Sequence, residues 1–249
     1  MDPQEYHLMF KVEQTHWWYL GMEKITRAIL NKWICPGSNL SILDAGCGTG
    51  AGMSAYLPDY GKVTGIDISP IALEFCRKRN LTSLALASVM EIPFKPDSFD
   101  LVTSFDVLYE QAVSSDLATL TEFSRVLCPG GFILLRLPAY NWLRGQHDIT
   151  IHTARRYTAS QVSSLLKNSG FHLLHISYAN TFLFPLAVAK RFLERIHPHI
   201  PASSDLSVNV GIFNGLFKQI LSSEALLASR IGLPFGLSVI ALGQKPATT

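Results

Sequence analysis

The stretch "ILDAGCGTGAG", residues 42–52, decides the fold. A short apolar run ends in an aspartate and is followed by glycines at 46, 48, 50 and 52. That pattern reads as a buried strand running into a tight turn. Glycine reaches backbone angles closed to other residues and lets a ligand lie against the main chain. Gly46-x-Gly48-x-x-Ala51 satisfies a loose dinucleotide fingerprint, although a turn built only for strand–helix packing gives the same letters. Asp67 closes the next apolar run, "KVTGID" at 62–67, 17 residues after Gly50. An acid there can accept hydrogen bonds from both hydroxyls of a ribose.

Outward from this turn, apolar runs alternate with helical patterns. "SPIALEFCRKR" (69–79) reads as a helix with Ser69 as N-cap and Pro70 in the first turn. "LALAS" (84–88) and "SFDLVTSFD" (98–106) read as strands. "SDLATLTEFSRVLCPGG" (115–131) reads as a helix ended by Pro-Gly-Gly, followed by the strand "FILLRLP" (132–138). "TASQVSSLLKNSG" (158–170) is a helix capped by Thr158 and stopped by Gly170, and "FHLLHISYA" (171–179) is a strand. "GLSVIALG" (236–243) is the last apolar run. Alternation of this kind predicts a mostly parallel sheet with helices on both faces. Residues 1–39 read as a helical lid, with Leu20, Ile25, Ile29 and Trp33 approximating one face. Residues 40–249 read as the main domain, with 180–235 as a mostly helical insertion.

Composition narrows the function classes. The 249 residues are 48% hydrophobic and only 16% charged, with a formal net charge of +2. That charge gives no strong pull toward nucleic acid, and no zinc-finger or RNA-recognition signature is present. Cys35, Cys47, Cys76 and Cys128 lack metal-ligand spacing, so no metal site or disulfide framework is expected. "MDPQEYHLMF" carries acids and no apolar core of a signal peptide, and no run of about 18 apolar residues predicts a spanning helix. A cytoplasmic protein is the expectation.

Asp44 separates the nucleotides that such a glycine turn could hold. Two residues before Gly46, its carboxylate would repel a pyrophosphate and attract a ligand carrying an ammonium and a sulfonium. S-adenosylmethionine is such a ligand. Around this reading, "ILDAGCGTG", "VTGIDIS", "ASVMEIPFKPDSFDLVTSFDVLYE" and "EFSRVLCPGGFILLRLP" resemble, in order and spacing, the successive motifs of class I S-adenosylmethionine-dependent methyltransferases. The likeness spans residues 40–138. It implies a Rossmann-like seven-stranded sheet with the last strand antiparallel, and S-adenosylhomocysteine as product. It also implies roles. Asp44, Gly46, Cys47, Gly48 and Gly50 would hold the methionine end. Asp67 and Ile68 would hold the ribose and one adenine face. Ser88, Val89 and Met90 would border the adenine. Phe105, Asp106 and Tyr109 would flank the sulfonium and the acceptor's mouth.

"EQTHWWYLGMEKI", "LPAYNWLRGQHDITIHTARRYT" and "GFHLLHISYANTFLFPLAVAKR" resemble a narrower bacterial group, whose members look like tailoring enzymes for secreted glycans, lipid-linked intermediates or natural products. The loop from Pro138 to Tyr157 holds His147, Asp148, His152, Arg155, Arg156 and Tyr157. An oxygen or nitrogen nucleophile calls for a base, and histidine titrates near neutral pH. His147 or His152 is the candidate, with Asp148 orienting it, or Asp148 and His147 simply stabilise the loop. Arg155 and Arg156 could clamp a carboxylate or phosphate, or pair with an acid such as Asp148. His16, Trp17, Trp18 and Tyr19 could form an aromatic lid on the substrate, or dock the first helix. Segment 181–233 is basic-edged and apolar, which suits a membrane surface at the inner face, a lipid pocket, or simple burial or dimerisation. The expected function is methyl transfer to a small-molecule or lipid- or glycan-linked acceptor, at oxygen or nitrogen. Two rivals remain: a nicotinamide oxidoreductase, and a non-catalytic module that binds S-adenosylmethionine to regulate a partner.

Overall fold

The computed structural model describes residues 2–145, 148, 152–196 and 211–247. Strands β1 (Leu40–Ala45), β2 (Gly61–Asp67), β3 (Leu84–Leu86), β4 (Phe99–Phe105), β5 (Leu127–Pro138), β6 (His172–Ala179) and β7 (Ser238–Gln244) form one sheet in the order β3-β2-β1-β4-β5-β7-β6. The first five pair in parallel, and β7 runs antiparallel between β5 and β6. This is the expected Rossmann-like architecture.

Side chains alternate across a strand, so each strand feeds two cores. Leu43, Val102, Ile133, Leu135 and Ala241 face one layer, where they meet Leu120 and Phe123 of α5 (Asp116–Val126) and Val162 and Leu166 of α6 (Ala159–Asn168). Ile42, Leu101, Leu134, Ile240 and Leu242 face the other, where they meet Met22, Ile25, Ile29 and Leu30 of α2 (Trp17–Trp33). Near-continuous apolar strands are the consequence of cover on both faces.

The N-terminal segment is two helices, α1 (Pro3–Val12) and α2. The buried face of α2 runs through Met22, Ile25, Ile29 and Leu30; Trp33 is exposed and Leu20 only half-buried, so the expected stripe was rotated. Because α2 is core, only the chain up to Tyr19 lies over the strand ends. There α1 packs Tyr6 and Phe10 on Ala72 and Phe75 of α4 (Pro70–Lys78). The insertion holds α7 (Phe184–Ile196), α8 (Phe213–Ser223) and α9 (Ala225–Arg230), with Leu221 and Ala228 buried in the layer of α2.

The expected helix over 115–131 stops at Val126. Leu127 is extended and pairs with Phe99, so Leu127 to Gly131 belongs to β5, where the register shifts before Leu101 meets Phe132. The residue before a proline disfavours the helical region, and Pro129 follows Cys128. Capping was legible elsewhere. Ser69 accepts from the Ala72 N–H, and Thr158 and Gln161 form a reciprocal capping box on α6.

Candidate active site

The parallel strands all release their chain at one edge, where a doubly wound sheet binds ligands. A cavity of about 640 Å³ lies there. Gly46 and Gly48 after β1, Asp67 and Ile68 after β2, Ser88 and Val89 after β3, and Phe105, Asp106 and Tyr109 after β4 all line it. His16, Trp17, Trp18 and Tyr19 line it from above, and Arg156 from the side.

The turn requires its glycines. Gly46 has φ +82, and a Cβ there would lie 2.2 Å from Cγ2 of Val107. Gly48 has φ +54 and would meet only the Met9 methyl, at 3.7 Å. Its amide instead donates to Asp67 Oδ2 at 2.9 Å, while the Ser69 amide donates to Oδ1 at 2.8 Å. A carboxylate offers about four lone-pair sites, so two remain for a pair of hydroxyls. Burial pushes the Asp67 carboxyl up, and the backbone donors pull it back. Asp44 sits behind the wall, 4% exposed, accepting from the Thr103 hydroxyl at 2.8 Å. Burial raises its pKa to about 6, against the opposing pull of Thr103 and Arg136.

Some expected ligand residues serve the scaffold. Gly50 faces Leu81 and Cys76, with φ +80, rather than the cavity. The Cys47 sulfur lies 3.9 Å from that of Cys76, in a small core with Met53 and Leu73. That neighbour and burial push the Cys47 thiol up, leaving it unreactive. Met90 packs against the core, and its amide donates to the Ser88 hydroxyl.

Ion pairs tie down the described part of the loop after β5. Arg156 donates to Asp148 through Nε at 2.8 Å and Nη2 at 3.0 Å, and to the Ala139 carbonyl. Asp148 is buried, also accepts from the Gly145 amide, and is held below its usual range by Arg156 despite burial. Arg155 pairs with Asp116 at 2.5 Å, and the buried Tyr157 hydroxyl bonds the same acid. Neither arginine is a free clamp, and Tyr157 is not exposed to a substrate. His152 stands outside the cavity with its side chain 45% exposed, its Nε2 3.0 Å from Asp2 Oδ1. His147 lies outside the described residues. Burial and then Asp106 hold the Tyr109 hydroxyl well above its ordinary range, so it stays protonated and cannot act as a base.

The sequence reading did not single out Arg136, Glu5, Glu110 or Met9, all of which line the cavity. Arg136 was detectable as a lone cation inside "FILLRLP". Its guanidinium lies 4.9 Å from the Trp18 ring centroid and 5.0 Å from that of Phe105, and pairs with Asp106 at 2.7 Å. The walls carry the acids Glu5, Asp67, Asp106 and Glu110 and the cations Arg136, Arg156, Lys190 and Arg191. They also carry apolar side chains, among them Val113, Leu143, Leu183, Leu186, Leu237 and Phe217.

Comparison with known proteins agrees with this geometry. Residues 43–135 match the methyltransferase domain family. A demethylmenaquinone methyltransferase of Symbiobacterium thermophilum is 41% identical over 112 residues, 40% of this chain and 43% of that protein. The match thus spans less than half of that relative's length. Among solved structures, the methyltransferase bound to the Trm112 activator of Haloferax volcanii superposes with a TM-score of 0.63 at 19% identity, over 99% of this chain and 95% of that one. Geranyl diphosphate C-methyltransferase of Streptomyces coelicolor, solved with S-adenosyl-L-homocysteine, gives 0.58 at 13% identity, over 88% and 78%. These structural likenesses speak for the fold. Over residues 43–135, then, this chain is similar to methyltransferase domains.

Proposed function

We propose that the chain transfers a methyl group from S-adenosylmethionine to an apolar small molecule drawn from a lipid surface. One observation carries this reading: acids that suit an onium nucleotide and apolar side chains that suit a greasy acceptor line one cavity. Asp67 would hold the ribose. Gly46 and Gly48 would let the methionine portion lie against the backbone. Asp44, Asp106 and Glu110 would supply negative potential for the ammonium and sulfonium. When bound, the donor supplies an electrophilic methyl: its carbon–sulfur bond breaks as the bond to the acceptor forms, and sulfur keeps the electron pair. This chain's part is alignment and exclusion of water. Tyr6, Met9 and the run His16 to Tyr19 act as the lid, and Leu183, Leu186, Ala187 and Phe217 provide further wall.

The demethylmenaquinone relative favours a prenylated aromatic acceptor over a polar one. The surface favours delivery from a bilayer. Leu186 is both part of the wall and 57% exposed; Phe192, Leu193 and Ile196 of the same helix are exposed as well, as are Ile212, Phe213 and Leu216 at α8. No helix among the described residues is long and apolar enough to cross a membrane. Contact would therefore be peripheral.

The test is transfer of label from methyl-labelled S-adenosylmethionine to prenylated naphthoquinols in phospholipid vesicles. Organic-phase label that depends on the protein, with heat released on titration with S-adenosylhomocysteine, is the expected result. A protein that binds NADH and not S-adenosylhomocysteine would be an oxidoreductase. One that binds S-adenosylhomocysteine and methylates nothing across the panel would be the regulatory module.

A further inference from the structure

Two polar groups in the cavity wall have no partner for a buried atom. His16 caps α2: its Nδ1 accepts from the Trp18 amide at 3.3 Å. That bond fixes the tautomer, because a neutral imidazole with Nδ1 as acceptor carries its proton on Nε2. Nε2 is buried and has no hydrogen-bond partner among the described residues. Burial lowers the His16 pKa, which keeps the ring neutral. Asn180, at the end of β6, is 1% exposed and has φ +61. Its Oδ1 is likewise without a partner among the described residues. Both residues line the cavity, together with the aromatic and aliphatic side chains of Trp17, Phe217 and Leu183. A buried polar group without a partner is costly, and native proteins keep one where a ligand completes it.

We propose that the His16 imidazole and the Asn180 amide form the polar subsite of the acceptor, binding the oxygen functions of an otherwise apolar aromatic molecule. This rests on the methyltransferase reading and deepens it. His16 acts here as a donor and keeps its proton. A hydroxyl on the acceptor gives its own proton to solvent, and the Nε2–H stabilises the oxygen as charge develops on it. Asn180 supplies the complementary contact. The lone-pair geometry rules out His16 as a base, since its free lone pair is already spent on the helix cap.

The experiment uses the full chain and two probes of matched shape, 2-naphthol and naphthalene, with binding read by quenching of tryptophan fluorescence. Trp17 and Trp18 line the cavity. The wild type should bind 2-naphthol at least about tenfold more tightly than naphthalene, the worth of a good buried hydrogen bond. His16→Asn keeps an acceptor for the Trp18 amide yet cannot reach the Nε2 position, so it should erase most of that preference. His16→Gln places an N–H near Nε2 and should retain it in part, at the expense of the cap. Asn180→Asp tolerates the positive φ and should shift the preference as well. Naphthalene affinity should stay within about twofold throughout, which reports an intact cavity. Equal binding of the two probes by the wild type, or an unchanged preference in both His16→Asn and Asn180→Asp, overturns the subsite. S-adenosylhomocysteine is titrated separately. Its failure to bind would remove the methyltransferase reading while leaving the subsite measurement intact.

Discussion

Asp44 shows how one residue can carry a pH dependence. Its folded pKa is raised to about 6, so its charge is present above that pH and lost as pH falls through it. A cationic ligand needs the charged form. Affinity for S-adenosylmethionine, measured by calorimetry, should therefore fall as pH drops below about 6, and Asp44→Asn should weaken binding at pH 7 while flattening that fall. The stability sign is opposite: a raised carboxyl destabilises the fold above the unfolded pKa, so Asp44→Asn should not lower the melting temperature. Gly46 makes a second prediction. Gly46→Ala puts a methyl onto Val107 and strains a positive φ, so loss of S-adenosylhomocysteine binding should accompany a stability loss of about 1–3 kcal/mol. Asp44, the glycines and Asp67 were legible because their spacing is local to one strand–turn–helix unit. His152 is the opposite case. Its partner, Asp2, is 150 residues away, and nothing local shows that its ring leaves the site.

Among the elements, a buried joint fastens the end of α1 to the glycine turn. Glu13, at the end of α1, accepts from the Thr49 hydroxyl and from Arg79, and Arg79 also donates to the Thr49 carbonyl. The Glu13 and Arg79 side chains are only 1% and 6% exposed. Burial raises the Glu13 carboxyl, with Thr49 and Arg79 acting against it. Removing one partner of such a buried pair strands the other at a cost of about 3–5 kcal/mol. Arg79→Met should lower the denaturation midpoint, expose α1 to proteolysis and weaken cofactor binding together. If α1 stays protected while binding is lost, Arg79 contacts the ligand directly and the joint is not the lid's anchor. Cations at 77–79 suit the end of a helix through its dipole alone, so nothing local in the sequence points to this role of Arg79. The sequence reading overran α5 by treating Pro-Gly-Gly as the stop, when the demand of β5 for Leu127 as a core strand residue ended the helix first.

For the whole molecule, the sheet and its two apolar layers were readable from alternating hydrophobic runs, and the position of the insertion from its lack of strand pattern. What composition could not show was that α2, α8 and α9 close one face of the sheet together. Amphipathic periodicity says that a helix buries a face, not what covers it. Leu134 sits fully buried on that face of β5. Leu134→Ala should cost about 2–5 kcal/mol in urea unfolding, with the slope unchanged. The exposed apolar edge of α7 and α8 gives a prediction on the same scale. Replacing Ile212 and Phe213 with serine should reduce co-sedimentation with phosphatidylglycerol vesicles and leave S-adenosylhomocysteine affinity as it was. Equal sedimentation of both proteins would count against lipid delivery.

The place of β7 has a consequence for biosynthesis. β6 has no sheet neighbour except β7, and β5 meets nothing else on that side. A nascent polypeptide therefore leaves the ribosome with two bare edges until residues 238–244 emerge and zip between them. Frameshifts or stop codons upstream of Ser238 should yield sticky, insoluble fragments, not a smaller working protein, since unpaired edges recruit other chains.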